Sequence, residues 1–210
     1  MLSARTRIKI CGITRLEDGL AAAEHGADAV GFIFWGKSER CVTPEAMAAI
    51  AHRLPAFVDA VAVFVNPDLA DVEAVLRAWP AATLQFHGEE APGFCAGFGR
   101  PWIKAVRAKP GLDLLECLLP YNEASAWMID AFHEQIYGGT GRSFDWNLVP
   151  RDLPRPWILS GGLDADNVGE ALRSMRPYGV DISSGVEVKK GVKDAAKIAA
   201  FIEGVRLADG

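Results

Sequence analysis

Ile8-Lys9-Ile10-Cys11-Gly12-Ile13 runs directly into Thr14-Arg15-Leu16-Glu17, and Gly26 follows Ala21-Ala22-Ala23 a short way on. An apolar, β-branched run, a capping-box signal and a glycine stop describe one strand followed by one helix. The same kind of apolar run recurs at residues 29–35, 60–65, 82–87, 102–106, 126–132, 157–160 and 180–183. With residues 8–13 that makes eight, and their starts lie 20 to 31 residues apart. Such spacing accommodates a strand and a crossover helix. Most of the runs are continuous rather than alternating, as strands buried on both faces should be.

Helix-start signals sit between the runs. Thr43-Pro44 places a cap before a proline at the first helical position, and Asn66-Pro67 repeats the device. Asp164 or Asp166 can cap a helix through Leu172, and residues 193–207 close the chain with Ala196, Ala199, Ala200 and Ile202 at helical spacing. Strands alternating with helices predict a parallel sheet, and eight units predict a closed (β/α)₈ TIM barrel forming a single α/β domain over residues 1–210. The region 133–155 is glycine-rich and only weakly helical; the barrel reading makes it the long loop after strand six.

Half of the 210 residues are apolar, enough for one core. Lys and Arg number 22 against 27 Asp and Glu, a net charge of −5. That balance speaks against nucleic acid or an anionic membrane as a partner. No apolar run approaches the roughly 18 residues of a membrane span, and the N-terminus has no apolar signal region. The expected location is the cytoplasm. Cys11, Cys41, Cys95 and Cys117 match no zinc spacing, so no metal is expected and the thiols are read as free. No dinucleotide fingerprint is present, and no cofactor is expected.

Three glycine stretches fall at strand ends: Tyr137-Gly138-Gly139-Thr140-Gly141-Arg142, Ser160-Gly161-Gly162 and Ser183-Ser184-Gly185. Glycine buries nothing and costs backbone entropy, so such runs suit sharp turns or close approach to a ligand. Their N–H groups can converge on one anion. In a barrel the loops after strands seven and eight form the usual phosphate site, and the loop after strand six lies beside them. Strand one ends at Cys11 and strand six at Asp130. A thiol and a carboxylate at one barrel mouth can divide proton transfer between them as base and acid. Cys41, Cys95 and Cys117 have no such placement and read as structural.

These motifs together resemble one family, the phosphoribosylanthranilate isomerases of tryptophan biosynthesis. The resemblance spans residues 8–206. It rests on Lys9-Ile10-Cys11-Gly12-Ile13-Thr14, Gly26-Ala27-Asp28, Ser38 and Arg40, Gln85-Phe86-His87-Gly88, Gly138-Gly139-Thr140-Gly141, Phe144-Asp145-Trp146, Ser160-Gly161-Gly162-Leu163 with Asn167-Val168, and Val180-Asp181-Ile182-Ser183-Ser184-Gly185-Val186-Glu187. The chain departs from the family at Glu39, where proline is usual, at Cys41, where an aromatic is common, and at Val188-Lys189-Lys190-Gly191, where a proline often stands near the glycine.

The resemblance implies an Amadori rearrangement of N-(5-phosphoribosyl)anthranilate to 1-(2-carboxyphenylamino)-1-deoxyribulose 5-phosphate. It assigns the base to Cys11, the acid to Asp130 and the substrate carboxylate to Arg40, whose guanidinium offers a bidentate fit. It assigns the phosphate to Gly141, Gly161, Gly162, Ser184 and Gly185, and places Gln85, His87 and Asp181 along the site. Arg142 and Lys9 read as solvated or structurally paired charges, with added positive potential at the site as the alternative, while Asp145-Trp146 lock the loop. The implied partner is a small phosphorylated substrate, and the implied assembly a monomer or homodimer. Two rivals share the phosphate corner. A histidine-pathway aminoaldose isomerase would carry an aspartate where Cys11 stands, and a non-catalytic phosphate-binding barrel would lack Cys11 or Asp130.

Overall fold

The computed structural model describes residues 5–130, 149–150 and 153–210. Eight parallel strands close into a barrel: β1 (Arg7–Cys11), β2 (Ala29–Ile33), β3 (Asp59–Phe64), β4 (Thr83–Phe86), β5 (Trp102–Arg107), β6 (Ala126–Asp130), β7 (Trp157–Ser160) and β8 (Gly179–Ile182). Each strand pairs with the next, and β8 closes on β1 with Lys9 opposite Asp181. Every apolar run read from the sequence contributes one strand. The described ends differ from those of the runs by a residue or two.

The pleat explains the continuous runs. On one face Ile8, Ile10, Val30, Phe32, Ala62, Phe64 and Phe86 join the large core under the helices. On the other, Cys11, Val61 and Val63 form one cluster, and Ile103, Ala105, Ala126, Met128 and Ile158 form another. Alternate residues of β1, β3, β5 and β6 are therefore buried on opposite faces, so no polar face interrupts these strands.

Seven helices are described: α1 (Leu16–His25), α2 (Pro44–Ala51), α3 (Leu69–Ala78), α4 (Pro92–Ala96), α5 (Leu114–Leu118), α6 (Val168–Met175) and α7 (Ala195–Asp209). Thr43 caps α2 as expected, accepting from Ala46 N–H. Three starts differ from the sequence reading. Thr14 does not cap α1; Arg15 takes the cap position and the Thr14 hydroxyl donates to Gly191 O at 2.5 Å. Asn66 sits at φ 49° with Oδ1 accepting from Glu89 N–H, and Asp68 with Asp71 forms the capping box of α3. Asp164 accepts from Asp166 and Asn167 N–H, but Asn167 is the residue at the α6 boundary. In each case a side chain serves a tertiary or turn contact in place of the helix end next to it.

A short antiparallel hairpin, β9 (Glu187–Lys189) and β10 (Val192–Lys193), follows β8. No described helix is long and apolar enough to cross a membrane. The Tyr137–Trp146 stretch, including Gly141, Arg142 and Asp145-Trp146, and the end of the 126–132 run lie outside the described residues.

Candidate active site

The C-terminal ends of the strands bring most of the sequence-predicted residues to one mouth. Cys11 ends β1, Asp130 ends β6 and Ser160 ends β7. His87 follows β4, and Ser183-Ser184-Gly185 follow β8. In barrels of this kind the reactive groups collect at this end. A larger cavity, about 790 Å³, opens at the other end among Thr6, Trp157, Tyr178 and Asp209, and holds none of the predicted residues. The chemistry therefore has to be sought at the smaller opening.

Cys11 is 6% exposed. It shares the inner face of β1 with Lys9, two residues earlier. Lys9 Nζ donates to Asp181 Oδ1 at 2.7 Å, and the same ammonium shares a pocket with the Cys11 sulfur over Gly31. Asp181 Oδ2 accepts from Ser160 Oγ at 3.2 Å. Burial pushes the Cys11 thiol up from its ordinary value; the Lys9 and Lys193 ammonium groups pull it back, while Asp181 adds to the rise. Lys9 is raised: burial opposes its charge, but Asp181 and Cys11 more than offset that.

Asp130 Oδ2 lies 3.3 Å from His87 Nε2 and 3.9 Å from Arg107 Nε. His87 Nδ1 in turn lies 3.4 Å from Gln85 Nε2, which also points at Met128 Sδ. Gln85 Oε1 is buried with no partner among the described residues. Gln85 and His87, expected along the site, thus form a line from the barrel interior to the carboxylate of Asp130.

Beside Asp130 is a cavity of about 180 Å³, lined by Ser160, Gly161, Gly162, Leu163, Asp181, Ser183 and Ser184 among others. Gly161 and Gly162 hold φ of 92° and 65°, consecutive positive values that only glycine adopts without strain. At Gly185 a side chain would stand 2.2 Å from Leu163 O, so the loops after β7 and β8 touch through backbone alone. The N–H groups of Gly161, Gly162, Ser184 and Gly185 make no hydrogen bond among the described residues.

Arg40, which the resemblance assigns to the substrate carboxylate, is held by a protein partner. Its Nε and Nη2 donate to the two oxygens of Glu187 at 2.8 and 2.6 Å, so the bidentate face engages the protein itself. Glu187 also accepts from Lys193 Nζ at 2.9 Å and Gly191 N–H at 3.1 Å. Burial works against the Glu187 charge, but Arg40 and Lys193 hold its carboxyl below the usual range. Lys193, fully buried, also donates to Ser183 O. Glu187 stood only as the last residue of a motif, and the sequence reading gave Lys193 no role at the mouth. The available signal was Lys190-Gly191, a turn pair between two short β-capable segments. The other thiols lie elsewhere: Cys41 is exposed, and buried Cys95 is pushed up to about 11 by burial, which makes it inert.

Fold and mouth together define a (β/α)₈ barrel that carries a thiol, a carboxylate and a glycine-lined cavity at the C-terminal ends of its strands. The comparisons with known proteins are more specific. A family model described as N-(5'phosphoribosyl)anthranilate (PRA) isomerase matches residues 8–204. The chain is 53% identical over 202 residues to N-(5'-phosphoribosyl)anthranilate isomerase of Nitrosomonas eutropha, covering 96% of this chain and 97% of that one. It superposes on the crystal structure of phosphoribosyl anthranilate isomerase from Thermotoga maritima with a TM-score of 0.87 at 42% identity, covering 96% and 98% of the two chains. Another solved isomerase, in complex with reduced 1-(O-carboxyphenylamino)-1-deoxyribulose 5-phosphate, gives 0.85 at 40% identity and the same coverage. The chain belongs to the N-(5'-phosphoribosyl)anthranilate isomerase family.

Proposed function

We propose that this chain, one barrel domain acting in the cytoplasm without a cofactor, isomerises N-(5'-phosphoribosyl)anthranilate in tryptophan biosynthesis. The observation that carries the reading at the level of the site is the cavity beside Asp130. Its lining includes Gly161, Gly162 and Ser184, whose N–H groups make no bond among the described residues, and Gly185 follows directly. A phosphate placed there meets donors that need no rearrangement, and the attached ribose then lies toward the mouth, between Asp130 and Cys11. Gly141, outside the described residues, belongs to the same cradle on the sequence motif alone.

The reaction follows from that placement. Protonated Asp130 gives its proton to the ribose ring oxygen. The C1–O bond breaks as the anthranilate nitrogen lone pair forms a C1=N iminium. The Cys11 thiolate then takes the C2 proton, and the C–H electrons form an enolamine. Loss of the 2-hydroxyl proton and protonation at C1 give the ketose, so every electron pair stays within the substrate. The anthranilate carboxylate meets Arg40 along the Nη1 edge, which makes no hydrogen bond among the described residues. Gln85 Oε1, buried and without a described partner, offers an acceptor to a ribose hydroxyl.

The test is direct. Purified protein mixed with synthetic N-(5'-phosphoribosyl)anthranilate should abolish the fluorescence of the substrate with saturable kinetics. No turnover of that compound, with turnover of a histidine-pathway aminoaldose, would replace this reading with its rival.

A further inference from the structure

An ion pair is buried in the barrel interior at Lys9 and Asp181, whose side chains are only 6% and 7% exposed. The neighbouring inward side chains are apolar: Val61, Val63 and Ala29 pack with Cys11. Burying two charges there works against stability, because desolvation commonly exceeds the gain from pairing. A pair in such a place needs a further reason. Asp181 fixes the ammonium with one oxygen while Ser160 holds the other, which leaves the ammonium beside the Cys11 sulfur, where its charge acts on the thiol. Gly31 on β2, directly opposite Cys11 in the ladder, makes the space for this. A methyl group on Gly31 would stand 2.7 Å from Cys11 Sγ and 3.0 Å from Lys9 Nζ, so the two groups share one pocket over a missing side chain.

We propose that Lys9 is a positioning residue: held by Asp181, its ammonium stays against the Cys11 sulfur and stabilises the thiolate that removes the C2 proton. The proposal rests on Cys11 being the base. Four charged groups act on the sulfur among the described residues: Lys9 from β1, Asp181 from β8, Lys193 from β10 and Arg40 from the loop after β2. Lys193 and Arg40 are both bonded to Glu187, which neutralises much of their effect. Of the three cations, Lys9 acts most strongly on the sulfur and shares its pocket over Gly31. Burial opposes its own charge, but Asp181 and Cys11 more than offset that and raise it.

The test uses the full chain with Lys9→Met and with Lys9→Met/Asp181→Asn. The double variant leaves no unpaired buried charge and keeps the experiment open if the single one fails to fold. Two quantities are followed from about pH 5 to pH 10: kcat/KM, and alkylation of Cys11 by iodoacetamide, read by mass spectrometry on the peptide carrying it. In Lys9→Met the limb of the pH profile belonging to Cys11 and the alkylation midpoint should both move up by about one pH unit or more, and kcat/KM at neutral pH should fall about tenfold or more; in the double variant both should move the same way by less, because Asp181 itself raises the thiol. An unmoved alkylation midpoint, with activity lost equally at every pH, would overturn the proposal and leave the pair a packing element. Alkylation reads the sulfur without turnover, so the two readings separate. A moved midpoint alongside an active Cys11→Ala variant would uphold the coupling and overturn the assignment of Cys11 as base.

Discussion

Lys9–Asp181 and Lys104–Glu90 are nearly the same object in two places. Their N···O distances are 2.7 and 2.6 Å, and the side chains are 6% and 7% exposed in one, 3% and 2% in the other. What differs is where their remaining hydrogen bonds go. Glu90 accepts from the N–H groups of Asn66 and Gly88, Lys104 donates to Gly88 O, and Tyr121 lies under the ammonium at 5.0 Å while its hydroxyl reaches Glu90 O. That pair ties the loops after β3 and β4 to β5, through backbone. Among the described residues Lys9–Asp181 bonds no backbone; its spare oxygen accepts from Ser160 Oγ and its ammonium lies beside Cys11. A buried ion pair that serves backbone holds a fold. One that serves reactive side chains sets their chemistry.

The sharpest way to break this contrast is to delete the groups at the mouth. Cys11→Ala and Asp130→Asn should each lower kcat/KM by about 10²- to 10⁴-fold, the range for general acid–base groups, with the barrel still folded. Steady-state kinetics beside urea unfolding would show it. A variant that loses activity only because it has lost stability would place its residue with Lys104 instead.

The converse change comes next in size. Lys104→Met leaves Glu90 buried and short of its cation, and should cost about 3–5 kcal/mol of folding stability. Replacing Glu90 by Leu in the same chain should recover part of the loss, because an apolar pair avoids desolvation altogether. Activity per folded molecule should stay well above that of Cys11→Ala, since neither side chain faces the mouth. If Lys104→Met unfolds no more easily than the parent protein, the structural half of the comparison fails.

The two pairs also mark how far the sequence could be read. The eight strands were legible because each is a dense apolar run at crossover spacing, and hydrophobic burial on both faces leaves that trace. Cys11, Asp130 and the glycines of the β7 and β8 loops were legible because strand ends and glycine runs are local features. Helix starts were less so. Thr14 and Asn66 have the right residue types, but Gly191 O and Glu89 N–H, far along the chain, claim their side chains. The roles of Lys9, Lys193 and Glu187 were not legible, because each depends on partners more than 140 residues away or on a hairpin of five strand residues in two pieces. Charges of that kind look like solvated surface until the barrel closes around them.

Glu187 tests the middle ground between the two pairs, and with the smallest effect. It accepts from two side chains at the mouth, Arg40 and Lys193, and from one backbone group, Gly191 N–H. Its folded value is depressed, because these donors outweigh the burial that opposes its charge. A depressed carboxylate contributes stability that is fully present above the unfolded value, near 4.3, and is lost as pH falls through the lower folded value. Glu187→Gln should therefore be less stable than the parent at neutral pH by about 1.5–3 kcal/mol, the worth of hydrogen bonds to a charged group. The gap should close on acidification, since the parent then loses the same charge. Urea unfolding of both proteins across that range measures it. Arg40 adds the second readout, because without Glu187 its guanidinium is no longer held. KM for the anthranilate substrate should then change, while affinity for inorganic phosphate, which the proposed function places at the β7 and β8 loops, should not. A stability gap that persists unchanged into acid would mean that shape rather than charge accounts for Glu187. An unaltered KM would put Glu187 with the backbone-serving pair, and Arg40 with it.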